Sequence, residues 1–347
     1  MLLLRNVKKD YQTISVVGMA KNAGKTVVLN RLIEEAAELN TPIGLTSTGR
    51  DGERIDIVTL TEKPTIYIYE GTIVATAKAT LLKSEAKLEI LEVTDYNTPL
   101  GTVVIARALT NGLVEIAGPD TNSQIKKVAE KMRSFGAKLV IVDGAINRKT
   151  SAAPSITDAT ILATGAAVSR DINKVISETQ HQVHLYSIEA IAPQDKMEIA
   201  TKIINDKKYA TIDKNFNITF IAISTSLNNG KTIAGYINEN TNYVILSGSL
   251  VSKTIDDIIS ATPNYKRVVF VVEDATKIFI SQRDWYLLAK RGVKINVVNK
   301  INVIAVTVNP LSPYGYGFPP EDFLNKMKQA LLPLPVMDVM MEDIYDK

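Results

Sequence analysis

The chain has 347 residues, of which 46% are hydrophobic and 22% are charged, and it contains no cysteine. This length exceeds what one compact core usually needs, so we expect two domains. The absence of cysteine excludes disulfides, iron–sulfur clusters and thiolate zinc sites. The net charge is +3 and the Lys and Arg residues are scattered, which argues against a nucleic-acid or anionic-membrane partner.

Neither the N-terminus nor the apolar runs predict targeting to a membrane. MLLLRNVKKDYQ has no small-residue cleavage site, and no apolar run reaches the roughly 18–20 residues of a membrane span. With the lack of cysteine, these features favour a cytoplasmic protein with no membrane partner. His181 and His184 form an H-x-x-H pattern without a carboxylate or thiol cluster, which favours an edge strand or a loop over a metal site.

The first elements along the chain predict a parallel α/β unit. Ile14–Val17 is a β-branched run that ends at Gly18, and apolar residues then recur at helical spacing between Val28 and Ala37. Thr41 and Pro42 end this helix, and a second buried strand is predicted to begin at Ile43 and run to Thr46. Strand, crossover helix and strand form the parallel unit of an α/β sheet.

From about residue 65 to residue 118 the pattern changes to short runs separated by turn residues. The runs are IYIY, TIVATA, LEILEV, GTVVIARAL and GLVEIAG, and they predict a β-rich insertion of antiparallel strands. DTNSQIKKVAEKMRSFG then predicts a helix with Gly136 as its C-terminal cap. Buried strands are predicted at Lys138–Val142, Ala159–Ala163 and Val183–Ser187.

A polar stretch, NDKKYATIDKNFN at residues 205–217, is the predicted linker. Alternation of strands and helices resumes after it. The strands are ITFIAIS, NYVILS, RVVFVVED, VKINVVN and INVIAVTVNP. The helices begin near Thr232, Ile255 and Ser281, and EDFLNKMKQALL forms the last one.

The stretch VVGMAKNAGKTVVLN, between the first predicted strand and helix, reads as a phosphate-binding loop with one extra residue. Five residues rather than four separate Gly18 from Gly24, before Lys25 and Thr26. Backbone N–H groups in such a turn favour a phosphate, and Gly24 permits close approach. Lys25 would reach the β- and γ-phosphates, and Thr26 would offer its hydroxyl to Mg²⁺. The other predicted nucleotide-binding residues are Lys21, Asn22, Ala23 and Val27; a glycine-rich turn without ligand is the alternative.

Two acidic segments are candidates to complete this site. AKLVIVDGA places Asp143 after a buried strand, where it would hold Mg²⁺ together with Thr26, unless it is a surface-turn aspartate. GLTSTGRDGE places Asp51 and Glu53 at the carboxyl end of the second strand, where parallel sheets locate their chemistry, although GRDG also suits a tight turn. We predict that these three carboxylates and Lys25 are the catalytic residues.

A second GKT occurs at Gly230–Thr232, in STSLNNGKTIAGYI, after the strand ITFIAIS. It repeats the spacing of the first loop, except that Ser224 replaces the leading glycine. The nearest acidic strand end is VVEDATK, with Glu273 and Asp274. We expect a structural turn or a vestigial repeat here, and the number of bound nucleotides is left open.

The fold class predicted from these patterns is α/β. A P-loop nucleotide-binding domain at residues 1–205, with a mostly parallel sheet and the β-rich insertion, precedes a smaller α/β domain at residues 215–347.

The spacing G-x-x-x-x-x-G-K-T resembles that of the dethiobiotin-synthetase-like proteins, within the larger group of nitrogenase-iron-protein-like NTPases. Together with ATAKATLL, LEILEVTDYNTPLG, VEIAGPDTNSQI, IVDGAINR and ILATGAAVSRD, the segments TSTGRDGE and NPLSPYGYGF make the likeness more specific. From about Ile14 to Asp338 the chain resembles the smaller subunit of the lysine 5,6-aminomutase reactivase, including relatives found beside ornithine aminomutase.

This resemblance implies an ATP-dependent accessory protein that works with a MutS-like ATPase subunit. Its client would be an aminomutase of the lysine 5,6- or ornithine 4,5-type that uses adenosylcobalamin and pyridoxal phosphate. Nucleotide-driven conformational change would release damaged cobalamin from that client. The implied cofactors are ATP or GTP and Mg²⁺, and the chain itself lacks the D-x-H-x-x-G element of a cobalamin-binding protein. Whether the protein forms a homo-oligomer is left open.

The loop alone supports a second function equally well, that of a stand-alone ligase or kinase of the dethiobiotin-synthetase type. Residues 49–53 and 120–124 would then hold a small acceptor near the γ-phosphate. Such an enzyme consumes ATP with its small substrate, whereas a remodelling subunit responds to a protein partner. In NPLSPYGYGF, the rings of Tyr314, Tyr316 and Phe318 predict either a packed loop or a partner surface.

Overall fold

A computed structural model of the chain describes residues 3–7, 10–48, 65–144 and 156–341. In chain order, the strands in this part are β1 (Thr13–Gly18), β2 (Ile43–Ser47), β3 (Ile66–Ile68), β4 (Ile73–Ala77), β5 (Leu88–Thr98), β6 (Gly101–Ala108), β7 (Gly112–Val114), β8 (Leu139–Asp143), β9 (Ala159–Gly165), β10 (Tyr209–Asp213), β11 (Ile218–Ile221), β12 (Thr241–Leu246), β13 (Leu250–Val251), β14 (Val269–Val272), β15 (Ile278–Phe279), β16 (Lys294–Val297), β17 (Val303–Asn309) and β18 (Val336–Met337). The helices are α1 (Lys25–Glu38), α2 (Lys78–Leu81), α3 (Asn122–Ser134), α4 (Ile172–Tyr186), α5 (Gln194–Asn205), α6 (Gly230–Ala234), α7 (Ser252–Ala261), α8 (Gln282–Lys290) and α9 (Pro320–Leu331).

The chain divides into two compact units. The first contains the described residues up to Gln180 and those from Asn302 onward, and the second contains His181–Ile301. The predicted domains 1–205 and 215–347 therefore do not coincide with these units. The difference arises because β17 returns to the first unit and pairs in parallel with β9.

A nine-stranded sheet, counted over the described residues, forms the first unit in the order β18-β17-β9-β1-β8-β2-β4-β6-β5. The strands from β18 to β4 are parallel, and β6 and β5 add an antiparallel hairpin. β1, β2 and β9 are buried along their whole length, as expected of central parallel strands with both faces covered. The predicted α/β class with a mostly parallel sheet is confirmed.

Two helices cover the central strands of this sheet on opposite faces. α1 buries Val28, Leu32 and Ile33 in a core cluster that also contains Leu139 and Ile141 of β8. α3 belongs to a second cluster, which contains the alternate residues Val140 and Val142 of the same strand. Because successive side chains of a strand point to opposite faces, α1 and α3 lie on opposite sides of the sheet. The helical patterns predicted for both segments are confirmed.

The β-rich segment around residues 65–118 is not a separate layer. β5 with β6 and β3 with β7 form the antiparallel pairs that the sequence predicts. β4, however, pairs in parallel with β2, so that β4, β6 and β5 extend the central sheet. The prediction of an insertion made only of antiparallel strands is wrong at β4.

The second unit has a five-stranded sheet among its described residues, in the order β11-β10-β12-β14-β16. β12, β14 and β16 are parallel, whereas β10 is antiparallel to both of its neighbours. The predicted linker at residues 205–217 is therefore wrong, since it contains β10. This strand buries Tyr209, Ala210, Thr211 and Ile212 between charged flanks, and those flanks dominate the composition of the stretch.

The strand predicted at Val183–Ser187 is also wrong, because α4 covers this segment up to Tyr186. Its buried positions are Val175, Thr179, Gln182, Leu185 and Tyr186, a helical spacing in which Thr179 and Gln182 are polar. His181 and His184 thus lie on a helix, where both rings contact Trp285 edge-on. The Nε2 atom of His181 is 2.9 Å from the carbonyl oxygen of Ile280.

Neither a cluster of metal-ligating side chains nor a membrane-spanning helix occurs among the described residues. They contain no group of three or more His, Cys, Asp or Glu residues placed to hold a metal ion. Within the same part of the chain, every helix is too short or too polar to cross a bilayer.

Candidate phosphate-binding site

The loop of the first GKT begins at the carboxyl end of β1, in the middle of the nine-stranded sheet. The N–H of Met19 donates to the carbonyl oxygen of Ala163 on β9 at 2.8 Å, which fixes the start of the loop. A Cβ added to Gly18 would lie 3.0 Å from both Cγ and Cδ of Lys25. The side chain of Lys25 therefore folds back across Gly18, and a larger residue at position 18 would displace it.

Two left-handed residues shape the turn before α1. Asn22 has a φ of 61° and Gly24 a φ of 100°, a conformation that glycine adopts without strain. Gly24 is also the N-cap of α1 and has no side chain to cap the helix. The first N–H groups of a helix have no partner within it, and they carry partial positive charge. The turn thus presents backbone donors to an anion at the carboxyl edge of the sheet.

Lys25 places a cation at this edge. Its Nζ donates to the carbonyl oxygen of Gly144 at 2.5 Å, just beyond the end of β8. Burial lowers the pKa of Lys25 below its ordinary value of 10.5, while the charge of Asp143 opposes the shift. The ammonium group is thus partly desolvated beside one carboxylate, an environment in which an added anion would be strongly attracted.

Asp143 is the last residue of β8, the strand next to β1. It lies opposite Val16 of β1 and Ser47 of β2 in the sheet register. The N–H of Thr48 donates to its carbonyl oxygen at 3.1 Å, so that its backbone is fixed from both sides. Thr26 lies in the first turn of α1 at the same edge. Hydroxyl and carboxylate oxygens are the donors that Mg²⁺ prefers, so Thr26 and Asp143 fit the metal that a nucleotide would carry.

Three polar residues that the sequence reasoning did not assign lie on the β17 side of the loop. A Cβ added to Gly24 would lie 3.2 Å from Cβ of Asn309, at the end of β17. A small cavity of about 30 Å³ is lined by residues of the loop and by Thr307, Asn309 and Asp338. The buried Oγ1 of Thr307 has no hydrogen-bond partner among the described residues. Burial raises the pKa of the Asp338 carboxyl, which accepts a hydrogen bond from the N–H of Met340 at 3.0 Å.

The aromatic segment NPLSPYGYGF continues from Asn309 and is mainly packed. The hydroxyl of Tyr316 donates to the carbonyl oxygen of Ala166 at 2.9 Å, and Arg170 lies over its ring. Phe318 contacts Phe323 of α9 with a ring separation of 5.1 Å. Tyr314 is exposed. Of the two predictions for this segment, a packed loop or a partner surface, the packed loop therefore holds for Tyr316 and Phe318 but not for Tyr314.

The predicted site residues have different outcomes. Gly18, Gly24, Lys25 and Asp143 come together at one edge of the sheet, with Thr26 in the adjoining helical turn. Of the remaining loop residues, Ala23 is buried, Lys21 is half-buried, and Asn22 and Val27 are exposed. Asp51 and Glu53 lie outside the described residues, so their predicted catalytic roles stay predictions.

The second GKT has a different geometry. It follows β11, an edge strand that is antiparallel to β10 and mostly exposed, and it opens a helix of only five residues. A Cβ added to Gly230 would lie 2.5 Å from the carbonyl oxygen of Thr254 on α7. Lys231 and Thr232 are exposed. The glycine therefore serves the contact between α6 and α7, whereas the lysine is exposed to solvent.

Asp274, the acidic residue considered for this second loop, has a structural role. Asp274 follows β14, and β10 and β12 lie between β14 and β11 in the sheet. Its buried carboxylate accepts a hydrogen bond from the N–H of Thr276 at 2.8 Å and caps a short 3₁₀ turn. Glu273 pairs with Lys277 at 3.4 Å. Among the described residues, no carboxylate ends a strand beside the carboxyl end of β11, because its neighbour β10 is antiparallel and ends in Asp213 at the other edge.

Comparisons of the chain with profiles of known protein families and with curated proteins find no match.

Proposed function

We propose that the first unit binds the phosphates of a magnesium nucleotide at the loop from Gly18 to Thr26. The observation that carries this proposal is the position of Lys25, whose aliphatic stem lies across Gly18 and whose partly desolvated ammonium lies at the end of β8, beside Gly144 and Asp143. Desolvating a cation costs free energy, and a bound phosphate would offset that cost with charge-assisted hydrogen bonds. A glycine-rich turn with a purely structural role has no need of a lysine there.

Each residue of the loop has a distinct task in this proposal. The N–H groups of the turn and of the first turn of α1 hold phosphate oxygens, and Lys25 contacts the β- and γ-phosphates. Thr26 and Asp143 are the residues that would hold Mg²⁺, directly or through its water shell. The metal would supply positive charge to the bridging phosphate oxygens. Asn309, beside Gly24, is a polar group on the β17 side that the rest of the nucleotide would reach, whereas Thr307 and Asp338 are buried.

We further propose that nucleotide binding serves an accessory role toward another protein in the cytoplasm. On the resemblance of TSTGRDGE and NPLSPYGYGF, this role is reactivation of an aminomutase that uses adenosylcobalamin and pyridoxal phosphate, together with a MutS-like ATPase subunit. Binding and hydrolysis of ATP or GTP would bias the conformation of that assembly and release damaged cobalamin. The support for this client is the sequence resemblance, whereas the support for nucleotide binding is the geometry of the loop.

One observation favours the ligase or kinase alternative. The N–H of Gly118 donates to Oγ of Ser47 at 3.1 Å, at the carboxyl end of β2. The chain then enters α3, whose N-terminus is capped by Thr121. Residues 120–124 thus follow a segment anchored at the same edge of the sheet as the phosphate loop. A small acceptor bound there would have access to a γ-phosphate.

Calorimetric titration of Mg-ATP and Mg-GTP into the full chain tests nucleotide binding, with Lys25→Ala as the matched variant. Saturable binding that is lost in Lys25→Ala supports the site. No binding to the wild-type chain, alone or with the MutS-like subunit, would contradict it.

Turnover separates the two functions. The accessory role predicts that phosphate release rises when the MutS-like subunit and a stalled cobalamin aminomutase are added. Turnover that depends only on a small acceptor would favour the ligase or kinase.

A further inference from the structure

A second feature of the first unit is an open groove at the opposite end of α1 from the phosphate loop. α1 has 14 residues, so its ends are about 21 Å apart at 1.5 Å per residue. The groove has a volume of about 390 Å³, which is within the range of small-molecule sites. Its lining comes from the end of α1, from the segment leading into β2, and from the β3–β4 turn with Asn111.

The floor of the groove is apolar and its rim is held by hydrogen bonds. Ile33, Ala36 and Ile43 supply aliphatic surface, and Tyr69 supplies an aromatic ring. The N–H of Thr72 donates to the carbonyl oxygen of Tyr69 at 3.1 Å, which closes the β3–β4 turn. A second bond, from the N–H of Glu70 to Oδ1 of Asn111 at 2.8 Å, ties this turn to a neighbouring one. The groove is therefore pre-formed.

Among the described residues that line the groove, Glu70 is the one charged residue, and it is acidic. The C-terminal end of a helix carries partial negative charge, and the last turn of α1 has no basic residue to offset it. Glu34, Glu38 and Glu70 are exposed. Partial burial raises the pKa of the Tyr69 phenol, and the charges of Glu34 and Glu38, on the turn of α1 next to the lining residues Ile33 and Ala37, raise it further.

No described residue that lines the groove is Lys, Arg or His. The buried carboxylate of Glu35, by contrast, is already engaged, because it accepts hydrogen bonds from the N–H groups of Leu3 and Leu4 and pairs with Arg31. The negative charge near the groove thus comes from carboxylates that remain in contact with solvent.

We propose that this groove binds a small aliphatic amine as its ammonium cation. The methylene groups would cover the apolar floor, while the ammonium faces Glu34, Glu38 and the ring of Tyr69 through Coulomb and cation–π attraction. A ligand that also bears a carboxylate is disfavoured, since no cationic side chain lines the groove. This site is separate from the phosphate loop and does not depend on nucleotide binding.

Titration of n-butylamine into the full chain without nucleotide tests this proposal, with n-butanol and butyrate as neutral and anionic probes of the same length. We expect saturable binding of butylamine, weaker binding of butanol and none of butyrate. The double variant Glu34→Gln/Glu38→Gln should weaken butylamine binding by roughly 3- to 10-fold, given the modest strength of exposed charge pairs. Glu130→Gln/Glu321→Gln, which removes two exposed carboxylates from α3 and α9, should leave it unchanged.

A steric variant locates the site independently of charge. Ala37→Phe places a large side chain in the groove at a half-buried helical position, so it should remove binding while the melting temperature changes little. Equal affinities for butylamine and butanol would overturn the proposal, as would unchanged affinity in both groove variants or no saturable binding of butylamine. Binding of a lysine-bearing peptide without binding of butylamine would instead make the groove a protein-docking site. None of these results alters the nucleotide titration, so the two proposals fail separately.

Discussion

The two GKT segments have the same three residues and nearly the same spacing, yet the two units place them in opposite surroundings. The first follows a central, fully buried parallel strand and opens a helix of 14 residues. The second follows an exposed edge strand and opens a helix of five residues. Lys25 is turned back toward the end of β8, whereas Lys231 is exposed.

The difference indicates that the surrounding sheet decides whether the motif is suited to bind phosphate. The proposed magnesium-nucleotide site uses backbone donors at a helix N-terminus and a partly desolvated cation for the phosphates, and a carboxylate at a neighbouring strand end for the metal. The first loop has all three because β1 lies between β9 and β8, and β8 ends in Asp143. At the second GKT the glycine is needed for a different reason, the close contact between α6 and α7.

The largest expected effect is the loss of nucleotide binding in Lys25→Ala. Removing one charge-assisted contact to phosphate costs roughly 1.5–3 kcal/mol, or about 10- to 150-fold in Kd, before any cooperative loss. Lys231→Ala is the matched control, and its affinity and stoichiometry should equal those of the wild-type chain. Calorimetric titration measures both, and a halved stoichiometry in Lys231→Ala would reveal a second site.

The next effect concerns the metal. In Asp143→Asn we expect the affinity for Mg-nucleotide to fall by about 1–3 kcal/mol, because a charged ligand to the metal shell is lost. Affinity for the nucleotide in the presence of chelator should change little. Glu273→Gln, which alters the strand-end acid of the second unit, is the control. Equal losses with and without Mg²⁺ in Asp143→Asn would contradict the metal role.

The glycine of the second GKT should matter for stability alone. Gly230→Ala is expected to lower the free energy of unfolding by about 1–3 kcal/mol, because its Cβ would lie 2.5 Å from the carbonyl oxygen of Thr254. Gly235→Ala is the control in the same segment, since its nearest neighbour outside the adjoining residues is 3.3 Å away. Chemical denaturation measures both variants. If Gly230→Ala bound nucleotide more weakly than the wild-type chain while still folded, the second GKT would also contribute to nucleotide binding.

The smallest effect is a pH dependence. The pKa of Lys25 is lowered by burial, and only its protonated form attracts phosphate, so nucleotide affinity should begin to fall at a pH below the ordinary lysine value of 10.5. The same shift means that the half-buried ammonium costs stability at neutral pH, and this cost is relieved as pH rises from the lowered pKa of the folded state to the ordinary value of 10.5 in the unfolded chain. Titrations over a pH series test this, with Lys231→Ala as the control. A profile that stays flat to pH 10.5 would contradict the burial of Lys25.

Local patterns in the sequence are sufficient to predict most of the elements and part of the site. The apolar spacing of α1 and α3, the β-branched run of β1 and the apolar run before Asp143 each reflect burial that repeats with a regular period. Gly24 and Lys25 are recognisable because their roles depend on near neighbours in the chain.

Local patterns could not predict elements whose apolar pattern is masked or interrupted, or contacts between parts of the chain that are far apart in sequence. β10 is a short strand whose charged flanks mask its buried residues, and α4 buries Thr179 and Gln182 on its packed stripe. The position of Asn309 beside Gly24 requires β17 to pair with β9 across about 140 residues of chain, and no local pattern encodes that return.

Amide hydrogen exchange, measured with and without Mg-ATP, tests most directly the claim that only the first GKT binds phosphate. It follows both loops in one experiment, and ligand contacts slow the exchange of the N–H groups they engage. We predict slower exchange in the peptides that cover Gly18–Asn30 and no change in those that cover Ser224–Ile237. Protection of the second segment, or of neither segment under conditions where Mg-ATP binds, would contradict this assignment.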